Sequence, residues 1–165
     1  MKLQDYIKKH GNVEVEEKQL NELLGIKESK IWKPTKNEYY WYIMSAGCVN
    51  SNKWLDTIEN EDHFLFGNVF KTKEEAEFAV EKRKIEVELQ RFAIEHNEGE
   101  INWKNSNQGK KSIIFSHDYD EFGVRTNFGV QRSNTVYFTS EDIAKQAIQA
   151  IGEDRLKKYY FGVED

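Results

Sequence analysis

The feature that most limits the folds open to this chain is a weak internal repeat. Residues 69–80 (VFKTKEEAEFAV) align without a gap with residues 137–148 (YFTSEDIAKQAI). The two segments share aromatic, hydroxyl and alanine positions: Phe70 with Phe138, Thr72 with Ser140, and Ala76 with Ala144. Because short strand-like runs precede each segment, we predict an α+β fold of two degenerate βββα repeats, each an antiparallel meander followed by a helix.

The repeat divides the chain into three parts. We predict a helical N-terminal arm over residues 1–30, a first βββα repeat with a long helix over 31–98, and a second repeat with a short C-terminal helix over 99–165. The predicted strands cover residues 39–44, 48–54 and 64–66, then 112–115, 124–128 and 135–138. Residues 55–63 are interpreted as an acidic loop.

The helix of the first repeat carries the clearest local signal. Thr72 and Glu75 have the spacing of a capping box, in which each side chain bonds the backbone of the other residue. No Gly or Pro follows until Gly99, which permits about 23 helical residues and a length of roughly 35 Å. Its apolar residues fall on two nearly opposite sides: Ala76, Val80, Val87 and Ile94 on one, and Phe78, Ile85, Leu89 and Phe92 on the other. This pattern favours a helix packed between a sheet and the other repeat; a face for a homodimer is the alternative.

Composition excludes several classes of function. The chain of 165 residues has a formal net charge of −5 with 32% charged residues of mixed sign, which argues against nonspecific binding of duplex DNA. The single cysteine, Cys48, excludes an internal disulfide and a cysteine-rich zinc site. Because no apolar run reaches membrane-spanning length and no signal-peptide core begins the chain, we expect a cytoplasmic protein without a membrane partner.

The sequence contains no motif of catalysis or metal binding. None of the four histidines has a metal-ligand spacing, and Cys48 has no neighbouring His or basic group to lower its pKa. Asp118, Asp120 and Glu121 have oxygen ligands suited to a hard cation, but their place in a hairpin turn favours a backbone role. We therefore predict no catalytic residue, no metal and no cofactor. A small enzyme whose site is assembled from distant residues stays an alternative.

Aromatic side chains near cationic ones are the main candidates for binding. Residues 39–42 are all aromatic, and strand neighbours point to opposite faces, so one face is predicted as core and the other as covered or functional. We assign Trp41 to the core because it is in phase with Tyr39 and Ile43. The predicted partner- or ligand-binding residues are Tyr40, Tyr42, Trp54, Arg125, Arg132, Lys157 and Lys158. Such rings and cations suit a nucleotide, a single-stranded nucleic acid or a protein interface.

Four stretches of the chain resemble a group of accessory proteins, without an assigned activity, that are carried by phages and prophages of Gram-positive bacteria. The stretches are Trp32-Lys33-Pro34, Tyr39–Ile43, Gly67–Glu77 and Leu156–Val163, and the likeness covers most of residues 30–163. The resemblance implies a small phage protein that acts in the bacterial cytoplasm. Phage genes of this kind often encode inhibitors of host immunity.

Three functional hypotheses follow from the residues and the resemblance. The leading one is a non-catalytic inhibitor that binds a bacterial antiviral defence protein, with a CRISPR effector as one possible target. The first alternative is a binding protein that sequesters a nucleotide second messenger of bacterial immunity, and the second is the small enzyme. An apolar cleft lined by aromatic rings and at least two cations would favour the nucleotide, whereas a flat patch would favour the protein partner.

Overall fold

The computed structural model describes residues 30–163 and shows a mixed α+β fold. Its elements are β1 (Tyr39–Ile43), β2 (Val49–Lys53), α1 (Ile58–Leu65), α2 (Lys73–His96), β3 (Lys110–Ser116), β4 (Glu121–Asn127), α3 (Glu141–Ile151), α4 (Glu153–Arg155) and a π-helical turn (Leu156–Tyr160). Residues 1–29 of the predicted N-terminal arm lie outside the described residues. Within residues 30–163, no helix combines the length and apolar character that a membrane span requires.

Each half contains a two-stranded antiparallel hairpin, with β1 paired to β2 and β3 paired to β4. Each hairpin has one further isolated bridge, between Trp41 and Phe70 in the first half and between Lys111 and Phe138 in the second. Phe138 lies in the third strand predicted at 135–138, whereas Phe70 lies after the strand predicted at 64–66. In the first bridge, the N–H of each residue donates to the carbonyl of the other at 2.9 Å. The meanders are therefore hairpins with a one-residue third strand.

Side-chain amides extend these bridges where the backbone does not. The Oδ1 atom of Asn68 accepts from the Ile43 N–H at 2.8 Å, and its Nδ2 donates to the Ile43 carbonyl at 2.9 Å. Asn97, the C-cap of α2, makes a related pair of bonds on the opposite edge of segment 137–139, accepting from the Thr139 N–H at 2.9 Å and donating to the Tyr137 carbonyl at 3.1 Å. Each asparagine thus satisfies an edge donor and an edge acceptor that a longer strand would otherwise pair.

The outer edge of β2 has a related arrangement. Because Trp41 points its N–H and carbonyl towards Phe70, its partner Ser51 points its own backbone groups away from β1. The N–H of Ser51 donates to Oδ1 of Asn50, and the N–H of Lys53 donates to Oδ1 of Asn52, both at 2.8 Å. These outward N–H groups are therefore bonded within their own strand.

Residues 55–66 differ from the prediction. Residues 58–65 form α1, where an acidic loop followed by a strand is predicted, so the strand predicted at Phe64–Phe66 is wrong. Thr57 caps the helix by accepting from the N–H of Asn60 at 3.3 Å, and the acidic residues Glu59 and Glu61 lie in the first turn. Negative side chains stabilise the positive end of a helix, so the acidic character that resembled a loop supports helix formation.

The long helix is confirmed, with 24 residues and both bonds of the Thr72–Glu75 capping box. Its N-terminal half contacts the first hairpin, where Ala76 is fully buried. Ile85 and Leu89 join the core formed with α3 and the π-helical turn. The helix therefore packs on two sides, but the predicted stripe stops before Ile94, which is 81% exposed.

Helix α3 begins as α2 does. Ser140 accepts from the Ile143 N–H at 3.2 Å, and Ala144 is fully buried like its counterpart Ala76. These matching caps, bridges and buried alanines agree with an internal repeat. The repeat itself stays a prediction, which superposition of residues 31–96 on 101–161 would test.

Candidate anion-binding cleft

A cavity of about 620 Å³ lies between α2, the β3–β4 hairpin and the segment 132–135. We call it the basic cleft. It is lined by three cations and three aromatic rings: Lys82, Arg125, Arg132, Phe115, Tyr160 and Phe161. These residues come from four separate parts of the chain, so the fold alone brings them together.

Within residues 30–163, the cations of the basic cleft form no ion pair with a carboxylate. Of the five arginines in the chain, Arg155 is held by Glu88 in a bidentate pair, with N–O distances of 2.9 and 3.0 Å. Among residues 30–163, by contrast, no ion pair engages the side chain of Lys82, Arg125 or Arg132. An exposed guanidinium without a partner is available to bind phosphate or carboxylate in a bidentate manner.

The segment that carries Arg132 is anchored to the protein interior. The N–H of Arg132 donates to Oη of Tyr137 at 2.7 Å, and Tyr137 is buried. The ring of Trp103 meets Tyr137 edge to face, with centroids 4.8 Å apart. Arg132 is therefore held at the rim of the cleft by the buried Tyr137, which packs against the half-buried Trp103, although the side chain of Arg132 is exposed.

A buried lysine completes this anchor. Lys110 is fully buried, and its Nζ donates to the carbonyls of Asn105 and Phe128 at 2.7 and 3.1 Å. The same ammonium lies 5.3 Å from the centroid of Trp103, within the range of a cation–π contact. Two carbonyls and one ring satisfy its three donors, so Lys110 is a structural residue. No local sequence pattern predicts its burial, because a lone lysine at the start of a strand is indistinguishable in sequence from an exposed one.

The aromatic wall of the basic cleft is built on the C-terminal turn. Phe161 lies 5.0 Å from Tyr160, 5.9 Å from Phe115 and 5.8 Å from Phe122, measured between ring centroids. Burial raises the pKa of the Tyr160 hydroxyl, and the negative charge of Glu86 raises it further. The hydroxyl therefore stays protonated at neutral pH, and it donates to the Asn134 carbonyl at 3.3 Å.

A larger, mostly polar groove of about 1110 Å³ lies beside the basic cleft, and we call it the adjoining groove. Five residues line both cavities: Glu86, Arg132, Asn134, Thr135 and Tyr160. Arg83, which has no ion-pair partner within residues 30–163, lines only the adjoining groove. Across both cavities, four cations face two carboxylates on a chain whose net charge is −5.

Arg125 and Arg132 are the only two of the predicted binding residues that the structure places in the basic cleft. Lys157 pairs with Asp120 at 2.8 Å and lies 5.8 Å from the ring of Phe115. Lys158 is exposed, with its Nζ 5.3 Å from the ring of Tyr159. The two lysines therefore lie near the aromatic wall without lining the cleft.

The structure corrects the predicted orientation of the first hairpin. Tyr40 is 0% exposed and Trp54 is 1% exposed, so neither ring offers a surface to a partner. Tyr42 is half-buried and stacks on His63 with centroids 4.7 Å apart. Trp41, assigned to the core, is only half-buried. Helix α1 covers the face that carries Tyr40 and Tyr42, which reverses the assignment.

The acidic turn at residues 118–121 has a backbone role. Asp120 has a φ of 52°, a left-handed conformation that Asp tolerates in turns, and its carboxylate pairs with Lys157. In the part of the chain that the structure describes, no group of three or more His, Cys, Asp or Glu side chains has the arrangement of a metal site.

Comparison with known proteins adds no relative, since no family model, curated protein or solved structure matches this chain. The functional assignment therefore depends on the geometry of the basic cleft.

Proposed function

We propose that this protein is a non-catalytic binding protein that captures a nucleotide in the basic cleft. One observation supports the proposal: one concave site is lined by three aromatic rings and by three cations that form no ion pair in the described part of the chain. Cations bind phosphate through charge-assisted hydrogen bonds, and aromatic side chains stack on bases. A nucleotide carries both groups at a separation that one cleft can accommodate.

The size and the remaining lining of the cleft also suit this ligand. Its volume of about 620 Å³ lies within the range of small-molecule sites. The cleft is more polar than the apolar cleft expected for a nucleotide, because its lining also includes the hydroxyl groups of Ser112, Ser116 and Thr135. A ribose, which has hydroxyls of its own, matches that polarity.

The cleft favours binding over turnover. Glu86 is the one carboxylate among its lining residues, which include no His and no Cys. A single carboxylate can accept hydrogen bonds from the amino groups of a base, whereas efficient hydrolysis of a phosphate ester uses a metal ion or several catalytic groups. Together with the resemblance to phage accessory proteins, this favours sequestration of a nucleotide second messenger of bacterial immunity in the host cytoplasm.

Isothermal titration calorimetry with a panel of nucleotides tests the proposal. We expect saturable binding that weakens about 10- to 100-fold in Arg125→Gln and in Arg132→Gln, because each lost charge-assisted bond contributes about 1.5–3 kcal/mol. Arg91→Gln is the matched control, since Arg91 is an exposed arginine of α2 that lines neither cavity.

Two results would contradict the proposal. One is no saturable binding of any nucleotide at millimolar concentration, and the other is an equal loss in the Arg91 control. Consumption of a nucleotide by substoichiometric protein, followed by chromatography, would establish an enzyme instead.

The second candidate function is the inhibitor of a bacterial defence protein, such as a CRISPR effector. The outer face of α1 favours it, because Ile58, Leu65 and Phe66 are 83%, 77% and 87% exposed. Their spacing places them on one side of the helix, and the exposed acids Glu59 and Asp62 accompany them. This face suits an apolar groove with a basic rim on the partner protein.

A pull-down from infected host lysate separates this candidate from the first. A defence protein should bind the wild-type chain but not the Leu65→Ser and Phe66→Ser variants. The Val130→Ser variant should still bind it, because Val130 is an exposed apolar residue outside α1. Retention of the same protein by all three variants would exclude α1 as the docking face.

A further inference from the structure

The basic cleft and the adjoining groove lie beside each other along α2, and we call the two together the trough. The α2 residues that line it are Lys82, Arg83, Glu86, Gln90, Ala93 and Ile94, followed by the C-cap Asn97. At 1.5 Å per residue, the distance from Lys82 to Asn97 is about 22 Å. A trough of this length extends past the site that one nucleotide needs.

The cations are divided between the two cavities rather than confined to one of them. Arg125 lines only the basic cleft, Arg132 lines both cavities, and Arg83 lines only the adjoining groove. A mononucleotide carries its phosphates at one end, so it would leave the cations of one cavity without a phosphate. A phosphodiester chain has a phosphate at every step and can engage successive cations.

Aromatic residues accompany the cations along the trough. Phe115 and Phe161 line the basic cleft, and Tyr160 lines both cavities. Proteins bind single strands by combining cations with rings, because the bases of a single strand are free to stack. The bases of a duplex are already stacked on each other, so they cannot stack on these rings.

We propose that the ligand of this trough is a short phosphodiester-linked oligonucleotide of at least two nucleotides, with one nucleoside in the basic cleft, a phosphate at Arg132 and the next nucleoside in the adjoining groove. This inference rests on the proposed nucleotide-binding function and narrows its ligand. A short linear strand and a cyclic dinucleotide share this chemistry.

The test is a length series measured by calorimetry at one salt concentration. The ligands are a mononucleotide, the matching linear dinucleotide, a linear tetranucleotide, a cyclic dinucleotide and a 12-base-pair duplex. We expect either the linear or the cyclic dinucleotide to bind at least tenfold more tightly than the mononucleotide. The tighter of the two shows whether the ligand is a linear strand or a cyclic dinucleotide. The duplex should bind at least tenfold more weakly than the tetranucleotide.

Arg83→Gln is the decisive variant. Because Arg83 lines only the adjoining groove, this substitution should abolish the tighter binding of the dinucleotide relative to the mononucleotide. The affinity for the mononucleotide should stay within twofold of the wild-type value. Arg125→Gln should weaken both ligands, and Arg91→Gln neither. For three phosphate contacts, the logarithm of the tetranucleotide association constant should fall with a slope of about −2 against the logarithm of salt concentration.

The outcomes separate the two proposals. Equal affinity for the mononucleotide and the dinucleotide would refute the proposed oligonucleotide ligand and leave the nucleotide-binding function in place. An equal loss of affinity for both ligands in Arg83→Gln would have the same meaning. Binding of the duplex as tight as that of the tetranucleotide would also overturn it. No binding of any member of the series would refute the proposed function itself.

Discussion

Removal of one hydroxyl group should destabilise the first hairpin even though the aromatic ring remains. The Oη atom of Tyr40 accepts from Nδ2 of Asn60 at 3.0 Å and lies 2.9 Å from Nδ1 of His63. Tyr40 and Asn60 are 0% and 1% exposed, so water cannot replace a lost bond. Tyr40→Phe would leave the amide of Asn60 facing a ring edge without an acceptor.

The expected loss can be worked out from these contacts. A buried donor left without its partner costs about 1–3 kcal/mol, so we expect Tyr40→Phe to lower the free energy of unfolding by about 2 kcal/mol. Tyr40→Ala removes the ring as well and should cost about 3–5 kcal/mol. Trp41→Ala should cost less than Tyr40→Ala, because Trp41 is only half-buried.

Urea unfolding at pH 7, with linear extrapolation to water, measures these differences. Tyr119→Phe is the matched control, since Tyr119 is 78% exposed and its hydroxyl deletion should change stability by less than about 0.5 kcal/mol. If Tyr40→Phe were as stable as the control, the buried bonds to Asn60 and His63 would contribute nothing, and this account of the hairpin would be refuted.

Three further predictions concern stability. Lys110→Met should lower the free energy of unfolding by about 2 kcal/mol, seen in urea melts, because Lys110 is fully buried and two carbonyls lose its ammonium as their donor. The Arg155 guanidinium lowers the pKa of Glu88, so this pair stabilises the fold above about pH 4.5 and loses its effect as pH falls through the lowered pKa. Glu88→Gln should therefore cost less than about 1 kcal/mol at pH 7, since both side chains are partly exposed, and nothing at pH 2. Ser140→Ala should cost about 1 kcal/mol by thermal melting, because it removes the cap of α3, whereas Ser133→Ala should not change stability.

The parts of the fold that depend on neighbours in sequence were predictable. The Thr72–Glu75 capping box and the uninterrupted run after it define α2, since both depend on residues within a few positions of each other. Helix α1 was missed although Thr57 and the acidic first turn were visible in the sequence. Only eight residues long and capped by a side chain three residues away, α1 resembles a polar loop in composition.

The error at the first hairpin has a physical cause. Strand geometry requires Tyr40 and Trp41 to point to opposite faces, but it does not say which face another element covers. Helix α1 decides this through Asn60 and His63.

The basic cleft shows the same limit. Arg125 and Arg132 were predicted, but Lys82, Glu86 and Tyr160 meet them only through tertiary packing that no local pattern announces.

The asparagines of β2 have a consequence for how this protein behaves at high concentration. An exposed strand edge is a template on which a second chain can add its own strand, and such addition leads to fibrils. In β2 the N–H groups of Ser51 and Lys53, which an incoming strand would use, are already occupied by Asn50 and Asn52. A new strand would first have to break these short bonds, so the two amides protect the edge together with the charge of Lys53. Any redesign of this hairpin for higher strand propensity, for example with Thr at both positions, would remove that protection and favour self-association.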